Sequence, residues 1–175
     1  MSTVLVSLLP AVFFGFKVYE YFPGQWPEIF WFCTVSNLVL SVGLLLRSPF
    51  LVFVSTGLVC LGIPIWIFDA VWFQTLSVAS IFTHLVAPII GLNWLRKHNL
   101  PALSPYGGPL YYLLLQVMAR LITPSEANIN VAFRVYEPVA ALFSNFYLYS
   151  LLNLLLLLLY YTILSRLLKL YRTSP

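Results

Sequence analysis

The sequence predicts an all-α, polytopic transmembrane helix bundle that forms a single integral membrane domain over residues 1–175. Hydrophobic residues make up 61% of the chain and charged residues only 8%, whereas a soluble domain carries about a quarter charged residues. Such a chain lacks the polar surface that a water-exposed globule needs, so its solvent is expected to be lipid. The apolar residues also fall into six runs, each near the ~20 residues that a membrane-spanning helix requires.

The first three predicted spans are separated by short breaks. No basic residues precede the apolar N-terminal run, so we expect a first span rather than a cleaved signal peptide. The segment YEYFPGQWPE follows it, and its aromatic residues are typical of the membrane interface. The second span stops at the charged turn RSP, and the third stops at Asp69. These three spans are predicted at 3–18, 29–46 and 50–68.

The last three predicted spans differ in length. The fourth stops at the basic sequence RKH, and the polar loop HNLPALSPYGG follows it. The fifth is short, and the sixth contains the leucine run LLNLLLLLLYY. These spans are predicted at 72–95, 109–123 and 138–164.

Charged residues predict that both termini lie in the cytoplasm (N-in/C-in). When the loops are assigned alternately to two sides, six basic residues fall on one side, and only Lys17 and Arg134 fall on the other. The side richer in Lys and Arg is expected to be cytoplasmic. All five acidic residues fall on the opposite side, in agreement with six spans in a multi-pass cell-membrane protein. The six basic residues are Arg47, Arg96, Lys97, Arg166, Lys169 and Arg172.

Several classes of site are absent from the sequence pattern. Cys33 and Cys60 lie in apolar runs without CxxC spacing, so we expect neither a disulfide framework nor a metal site. No cofactor motif is present, and the net charge of +4 forms no basic stripe of the kind that binds nucleic acid. Membrane lipids are the expected partners, and the sequence leaves open a homo-oligomer or a membrane-protein partner.

Polar residues in the second predicted span share one face. At 100° per residue, Cys33, Thr34, Asn37 and Ser41 fall within about a quarter of the helix circumference, with Ser36 at its edge. Polar side chains in hydrocarbon usually face the bundle interior. The stripe is compatible with helix packing through hydrogen bonds and small residues, and equally with a nucleophile at Cys33 or Thr34.

Polar residues also occur in the fourth, fifth and sixth spans. His84 lies among small residues near the middle of its span and is either a satisfied interior histidine or a general base. Gln116 and Arg120 share a face of the fifth span, where Arg120 could snorkel, pair with a loop acid or bind an anionic headgroup. Asn145 starts an i, i+4, i+8 polar row suited to interhelical hydrogen bonds. Together these residues predict a polar pocket in the outer half of the bundle.

Two fragments carry a resemblance to a known family. FCTVSNL and THLVAPIIGL resemble the Phe-Thr-x-x-Ser-Asn-Leu and His-x-x-x-Pro stretches of a group of small bacterial six-span membrane proteins. Those proteins resemble the androgen-induced, FAR-17a-like intramembrane hydrolases. The resemblance implies six spans and cleavage of lipid esters by a threonine on the second span and a histidine on the fourth. His84 matches that histidine, whereas the nucleophile is Cys33 when Ser36-Asn37 are aligned and Thr34 when residue type is matched.

The enzymatic hypothesis is therefore an intramembrane lipid ester hydrolase or acyltransferase. Cys33 or Thr34 would attack the acyl carbonyl and His84 would accept the proton. Asn37 or Asn145 would stabilise the oxyanion. The predicted substrate-binding residues are Ser36, Asn37, Gln116, Arg120 and Asn145.

Helix rise gives an expectation for the height of the two catalytic candidates. Counted from the predicted span boundaries at about 1.5 Å per residue, Cys33 and His84 differ in depth by about 12 Å. The rival hypothesis is a non-enzymatic small transporter, lipid-binding subunit or membrane-complex assembly subunit that uses the same pocket. A transporter would be expected to carry broken helices, for which Pro64 offers one position.

Overall fold

A computed structural model describes residues 3–72 and 77–173 of the chain, and these residues form helices and loops without a β-strand. Short 3₁₀-helices occupy Trp26–Phe30, Ser125–Ala127, Ile129–Val131 and Glu137–Leu142. The longer helices are α1 (Thr3–Tyr21), α2 (Phe32–Leu45), α3 (Pro49–Trp72), α4 (Val78–Leu95), α5 (Ser104–Ile122) and α6 (Phe146–Thr173).

Four of the helices in the described ranges, α1, α3, α4 and α6, are long and apolar enough to cross a membrane. Helix α2 is apolar but has 14 residues, and α5 has 19 residues that include two glycines, an internal proline and Arg120. The prediction of an all-α membrane protein is confirmed at this level.

Capping side chains explain where two helices begin. The fourth predicted span starts at residue 72, but α4 begins at Val78, where the Ser77 side chain accepts a hydrogen bond from the Ser80 N–H. Residues 73–76 of that predicted span lie outside the described part. Likewise α6 begins at Phe146 rather than 138, because Asn145 Oδ1 accepts hydrogen bonds from the N–H groups of two residues in its first turn.

Helix α3 lies at the centre of the bundle. In its most apolar stretch 50% of the residues are buried, whereas the corresponding share is 22% in α1 and in α6. It packs against α2, α4 and α5, and it continues through Pro64 and past Asp69 to Trp72. The proline therefore does not break the helix, contrary to the break expected of a transporter.

Tyr161 of α6 joins α6 to α3 and α5. Its hydroxyl donates a hydrogen bond to the Val54 carbonyl oxygen at 2.5 Å. A Cβ atom on Gly57 would lie 2.5 Å from the tyrosine ring, and a Cβ on Gly108 of α5 would also overlap that ring. Only glycine lets both helices approach the ring this closely, so these positions fix the packing of three helices.

Candidate functional site

Cys33 and His84 both lie beside Gly62, a glycine of the central helix α3. A Cβ atom built on Gly62 would lie 3.4 Å from Cys33 Cβ and 3.4 Å from His84 Nε2. Those two atoms are therefore separated by at most twice 3.4 Å. Because Gly62 has no side chain, it leaves a small space between the cysteine on α2 and the imidazole on α4.

Backbone geometry gives the His84 ring a defined tautomer. His84 Nδ1 lies 2.9 Å from the carbonyl oxygen of Ser80, one turn earlier in α4. A carbonyl oxygen only accepts hydrogen bonds, so Nδ1 must carry the proton and Nε2 must present its lone pair. Nε2 is buried, and no hydrogen-bond partner for it occurs in the described part of the chain.

A π-helical turn carries His84. Phe82–Val86 is a π-helix inside α4, closed by a hydrogen bond from the Ala87 N–H to the Phe82 carbonyl. Pro88, four residues after His84, has no N–H to bond the His84 carbonyl in the α-helical pattern. Single π-turns of this kind often occur at functional sites. The widened turn offers a structural reason for the proline in the sequence THLVAPIIGL.

Trp66 of α3 covers one face of the imidazole. The two rings are stacked, with centroids 5.0 Å apart and planes 3° from parallel. The ring is held on one edge by the Ser80 carbonyl and on one face by the Trp66 indole. The relative exposure of His84 is 4%. The indole also provides a π-face on which an imidazolium would be stabilised after proton uptake.

Cys33 lies in the first turn of α2, directly after Phe32. The N–H groups of the first helical turn have no carbonyl partner within the helix. Cys33 and Thr34 both belong to this first turn, so the thiol and two of these N–H groups lie at the same end of α2. The half-buried thiol therefore lies at the positive end of the α2 dipole, where catalytic thiolates are often found.

The expected depth gap between Cys33 and His84 was wrong. Helix α4 starts at Val78, six residues later than predicted, because the Ser77 side chain caps it. Because α2 also starts three residues later than predicted, at Phe32, the net change is about three residues or about 4.5 Å of helix rise, so the predicted gap of about 12 Å falls to about 7.5 Å by this count. Ser77 is a residue type that often caps the N-terminus of a helix, and it is the sequence signal for this start. The predicted span nevertheless began at residue 72, because apolar residues also precede Ser77.

Sequence reasoning missed a buried lysine beside this site. Lys17, which the sequence analysis used only as a charge for orientation, is 3% exposed. Its Nζ donates to Glu20 Oε2 at 2.9 Å and to Ser77 Oγ at 3.1 Å. Ser77 Oγ is 3.0 Å from Ser80 Oγ, and Ser80 supplies the carbonyl that holds His84. The i, i+3 spacing of Lys17 and Glu20 is the only sequence signal for this network.

The remaining candidates on α2 are all buried. Thr34 is 3% exposed, and among the described residues no hydrogen bond joins it to His84. Ser36 Oγ lies 3.5 Å from the Tyr111 hydroxyl. Asn37 Nδ2 donates to the Cys33 carbonyl at 2.7 Å, while its Oδ1 is buried without a hydrogen-bond partner. Asn37 thus supports the backbone of Cys33.

Gln116 and Arg120 contact the loop between α5 and α6. Gln116 Nε2 donates to the Asn130 carbonyl at 3.1 Å, and Arg120 Nε donates to the Ala132 carbonyl at 2.6 Å. Tyr112, one turn before Gln116, also donates to the Asn130 carbonyl at 2.9 Å. This i, i+4, i+8 row fastens the loop to α5, and no described contact joins it to Cys33 or His84.

Asn130 ties the same loop to α2. Its side chain accepts from the Phe32 N–H at 2.6 Å and donates to the carbonyls of Phe30 and Leu115 at 2.9 and 3.4 Å. The residue is fully buried and adopts a left-handed backbone conformation with φ of 55°. This part of the loop therefore lies beside the first turn of α2, which contains Cys33. Sequence analysis gave Asn130 no role.

Asn145 is exposed and caps α6 through hydrogen bonds from the Tyr147 and Leu148 N–H groups at 2.9 and 3.1 Å. The Asn145 side chain therefore makes hydrogen bonds within its own segment, and not the interhelical hydrogen bonds expected from its polar row.

The chain was compared with models of known protein families, with curated proteins and with solved structures, and none of them matched. The described residues contain no group of three or more His, Cys, Asp and Glu side chains that could hold a metal ion. Function must therefore be argued from the geometry around Cys33 and His84.

Proposed function

We propose that this protein is an intramembrane lipid ester hydrolase or acyltransferase in which Cys33 is the nucleophile and His84 is the general base. The most direct support is that Cys33 Cβ and His84 Nε2 both lie 3.4 Å from the place where a Cβ atom on Gly62 would be. In addition, His84 Nε2 is buried and has no hydrogen-bond partner among the described residues. A nucleophile, a base and a third group that orients the base form the usual arrangement of covalent catalysis. Here the Ser80 carbonyl orients the base.

The proposed reaction conserves atoms and charge. His84 Nε2 accepts the Cys33 proton, and the thiolate attacks the acyl carbonyl of a lipid ester. The ester C–O bond breaks, the departing alkoxide takes the proton from His84, and an acyl thioester remains on Cys33. Water or a second alcohol, deprotonated by His84, then attacks the thioester, the C–S bond breaks, and the departing Cys33 thiolate takes the proton back from His84. Attack by water makes the protein a hydrolase, and attack by an alcohol makes it an acyltransferase.

The first turn of α2 provides the oxyanion donors in this proposal. Cys33 and Thr34 belong to the first turn of α2, where backbone N–H groups lack acceptors within the helix. A developing oxyanion beside Cys33 would be stabilised by these groups and by the helix dipole. Asn37 is less suited to this role because its Nδ2 already donates to the Cys33 carbonyl. Asn145 is less suited because it is an exposed residue that caps the first turn of α6.

The proposed activity agrees with the resemblance to the androgen-induced, FAR-17a-like hydrolases, with one departure. In that family the nucleophile is a threonine, which here would favour Thr34. We favour Cys33 because its Cβ lies beside the Gly62 position that also adjoins His84 Nε2. A thiol also loses its proton more readily than a hydroxyl.

We further propose that all six helices cross the cell membrane, with both termini in the cytoplasm. Short connections join α1 to α2 and α2 to α3, and the distribution of Lys and Arg supports this orientation. Single cysteines placed by S48C and S125C in a C33A/C60A background would report the two sides. A membrane-impermeant maleimide applied to intact cells should label the second and leave the first unlabelled. The reverse pattern, or labelling at both positions, would contradict this topology.

The test of the enzymatic proposal is capture of the acyl-enzyme. Purified protein in detergent is incubated with a p-nitrophenyl ester of an alkyne-tagged fatty acid, and thioester-linked label is identified by its loss in neutral hydroxylamine. The label should map to Cys33, disappear in C33A, and persist in C60A and T34V. Cys60 is the matched control because it is also a half-buried cysteine of the bundle.

Three results would contradict the proposal: label retained in C33A, label transferred to Cys60, or no label on a protein that remains folded. A label that resists neutral hydroxylamine, is lost in T34V and is retained in C33A would assign the nucleophile to Thr34. A folded but unreactive protein that retains lipid through purification would favour the lipid-binding alternative.

A further inference from the structure

A groove lies between α4 and α6, at the ends of these helices remote from Ser77 and Asn145. It has a volume of about 290 Å³. Leucine and isoleucine side chains form most of its walls, and Arg96 and Tyr171 lie nearest the helix ends. The lining includes Ile89, Leu92 and Arg96 of α4 and Leu164, Leu168 and Tyr171 of α6.

The polar end of this groove carries positive charge. The Arg96 guanidinium lies 4.7 Å from the centre of the Tyr171 ring, and the side chain of Arg96 is exposed. No carboxylate among the described residues forms an ion pair with Arg96, since Lys17–Glu20 is the one salt bridge found in that part of the chain. Arg96 is therefore held in place by an aromatic ring while its charge remains uncompensated.

Other charges at the same end of the bundle have the same sign. Lys97 follows Arg96, and Arg166 and Lys169 alternate with the groove-lining residues of α6. All five acidic residues lie at the other ends of the helices or in the loops there. The groove thus combines an apolar channel with an unopposed cationic mouth, which matches a lipid tail and an anionic headgroup.

We propose that the groove binds one anionic phospholipid from the membrane leaflet on the basic side. Its acyl chain would lie between α4 and α6, and its phosphate would contact Arg96. A free phosphate would leave the apolar walls uncovered, whereas a zwitterionic phospholipid would bring its own cationic group to a groove end that already carries positive charge. This site does not depend on the proposed enzymatic function, because Arg96 follows His84 by about twelve residues, or roughly 18 Å of helix rise.

The proposal can be tested by native mass spectrometry of the purified full chain with phosphatidylglycerol and phosphatidylcholine of identical acyl chains. The wild type should retain one phosphatidylglycerol with at least about fivefold preference over phosphatidylcholine. R96Q should lose this preference. L164W, which narrows the apolar channel without changing charge, should weaken retention of phosphatidylglycerol.

R47Q is the matched control, because Arg47 is also an exposed arginine at the basic side but lies outside the groove. It should retain the preference. Equal losses in R96Q and R47Q would show diffuse attraction of anionic lipid and would overturn a defined site. Equal retention of the two lipids by the wild type would also overturn it. Thermal unfolding of each variant identifies any loss caused by misfolding, and R96K, which keeps the charge, should retain most of the preference.

Discussion

The carbonyl oxygen of Ser80 lies 2.9 Å from Nδ1 of His84, and this contact leaves Nε2 as the basic nitrogen of the ring. The same local arrangement recurs elsewhere in the chain. His98 Nδ1 lies 2.7 Å from the Trp94 carbonyl, and the His98 ring is stacked on the Trp94 indole with centroids 3.5 Å apart. Two histidines thus share one type of backbone anchor, while only His84 adjoins Cys33 through Gly62.

Replacing His84 should remove the general base from the proposed site. In H84Q the amide cannot accept the Cys33 proton, so we expect the rate of thioester formation to fall by about a hundredfold or more. The measurement is hydroxylamine-sensitive labelling followed over time. H98Q is the matched control and should keep the wild-type rate. Equal rates in H84Q and the wild type would show that Cys33 does not need this base.

Alanine at Gly62 should raise stability and lower activity together. The added methyl would sit 3.4 Å from Cys33 Cβ and His84 Nε2, which is ordinary contact, so the fold should accept it. Replacing glycine by alanine inside a helix stabilises it by about 0.5–1 kcal/mol. The same methyl fills the space between sulfur and imidazole, so the acylation rate should fall by about tenfold or more.

G15A provides the control for G62A, because no atom lies within 4 Å of a Cβ built on the exposed Gly15. It should show a similar gain in thermal stability with unchanged acylation. A G62A protein with wild-type acylation would mean that Cys33 and His84 do not act through this space. G108A should differ from both, because its Cβ would overlap the Tyr161 ring and should therefore lower the melting temperature.

Replacing Asn130 should loosen the loop that covers the start of α2. N130A removes three side-chain hydrogen bonds at a fully buried position, so we expect the free energy of unfolding to fall by about 1–3 kcal/mol. N130G loses the same bonds but tolerates the φ of 55° and should be about 1 kcal/mol more stable than N130A. Thermal unfolding in detergent measures both differences. N145A, which removes an exposed helix cap, should lose only about 1 kcal/mol, and equal effects at both positions would argue against a buried anchor.

Stability should depend on pH through Glu28, which lies in the 3₁₀-helix before α2. Burial raises the pKa of the Glu28 carboxyl above its usual value of 4.5, although a hydrogen bond from the Trp31 indole opposes this shift. The folded protein therefore binds this proton more tightly than the unfolded chain does. As pH rises from the unfolded pKa of about 4.5 through the higher pKa of the folded protein, ionised Glu28 increasingly destabilises the fold. E28Q should gain stability over the wild type at about pH 7 and gain less at about pH 4.

E126Q is the control of opposite sign for E28Q. The pKa of the exposed Glu126 is lowered, first by its own backbone N–H and then by the Ser125 hydroxyl. Its ionised form therefore favours the folded state, and E126Q should lose a little stability at neutral pH and none in acid. The same pH dependence of melting temperature in E28Q and the wild type would contradict the role assigned to Glu28.

Composition and periodicity alone predicted the broad architecture and the polar face of α2. A chain with 8% charged residues has to place its surface in lipid, and helical periodicity puts Cys33 and Asn37 on one face regardless of what packs there. The sequence also singled out His84, because a titratable side chain inside an apolar segment needs a polar partner. These conclusions depend on interactions within one segment or between the chain and its solvent.

Only the tertiary structure decided which polar residues meet. The placement of Cys33 Cβ and His84 Nε2 on either side of Gly62 depends on where α4 begins and on a glycine of α3, and neither is a property of α2. Gln116 and Arg120 contact a loop because Asn130 turns that loop into the bundle, through bonds to residues up to 100 positions away. Sequence patterns report neighbours along the chain, whereas the free energy of burying polar groups depends on partners from other helices, and those partners are set only when the bundle packs.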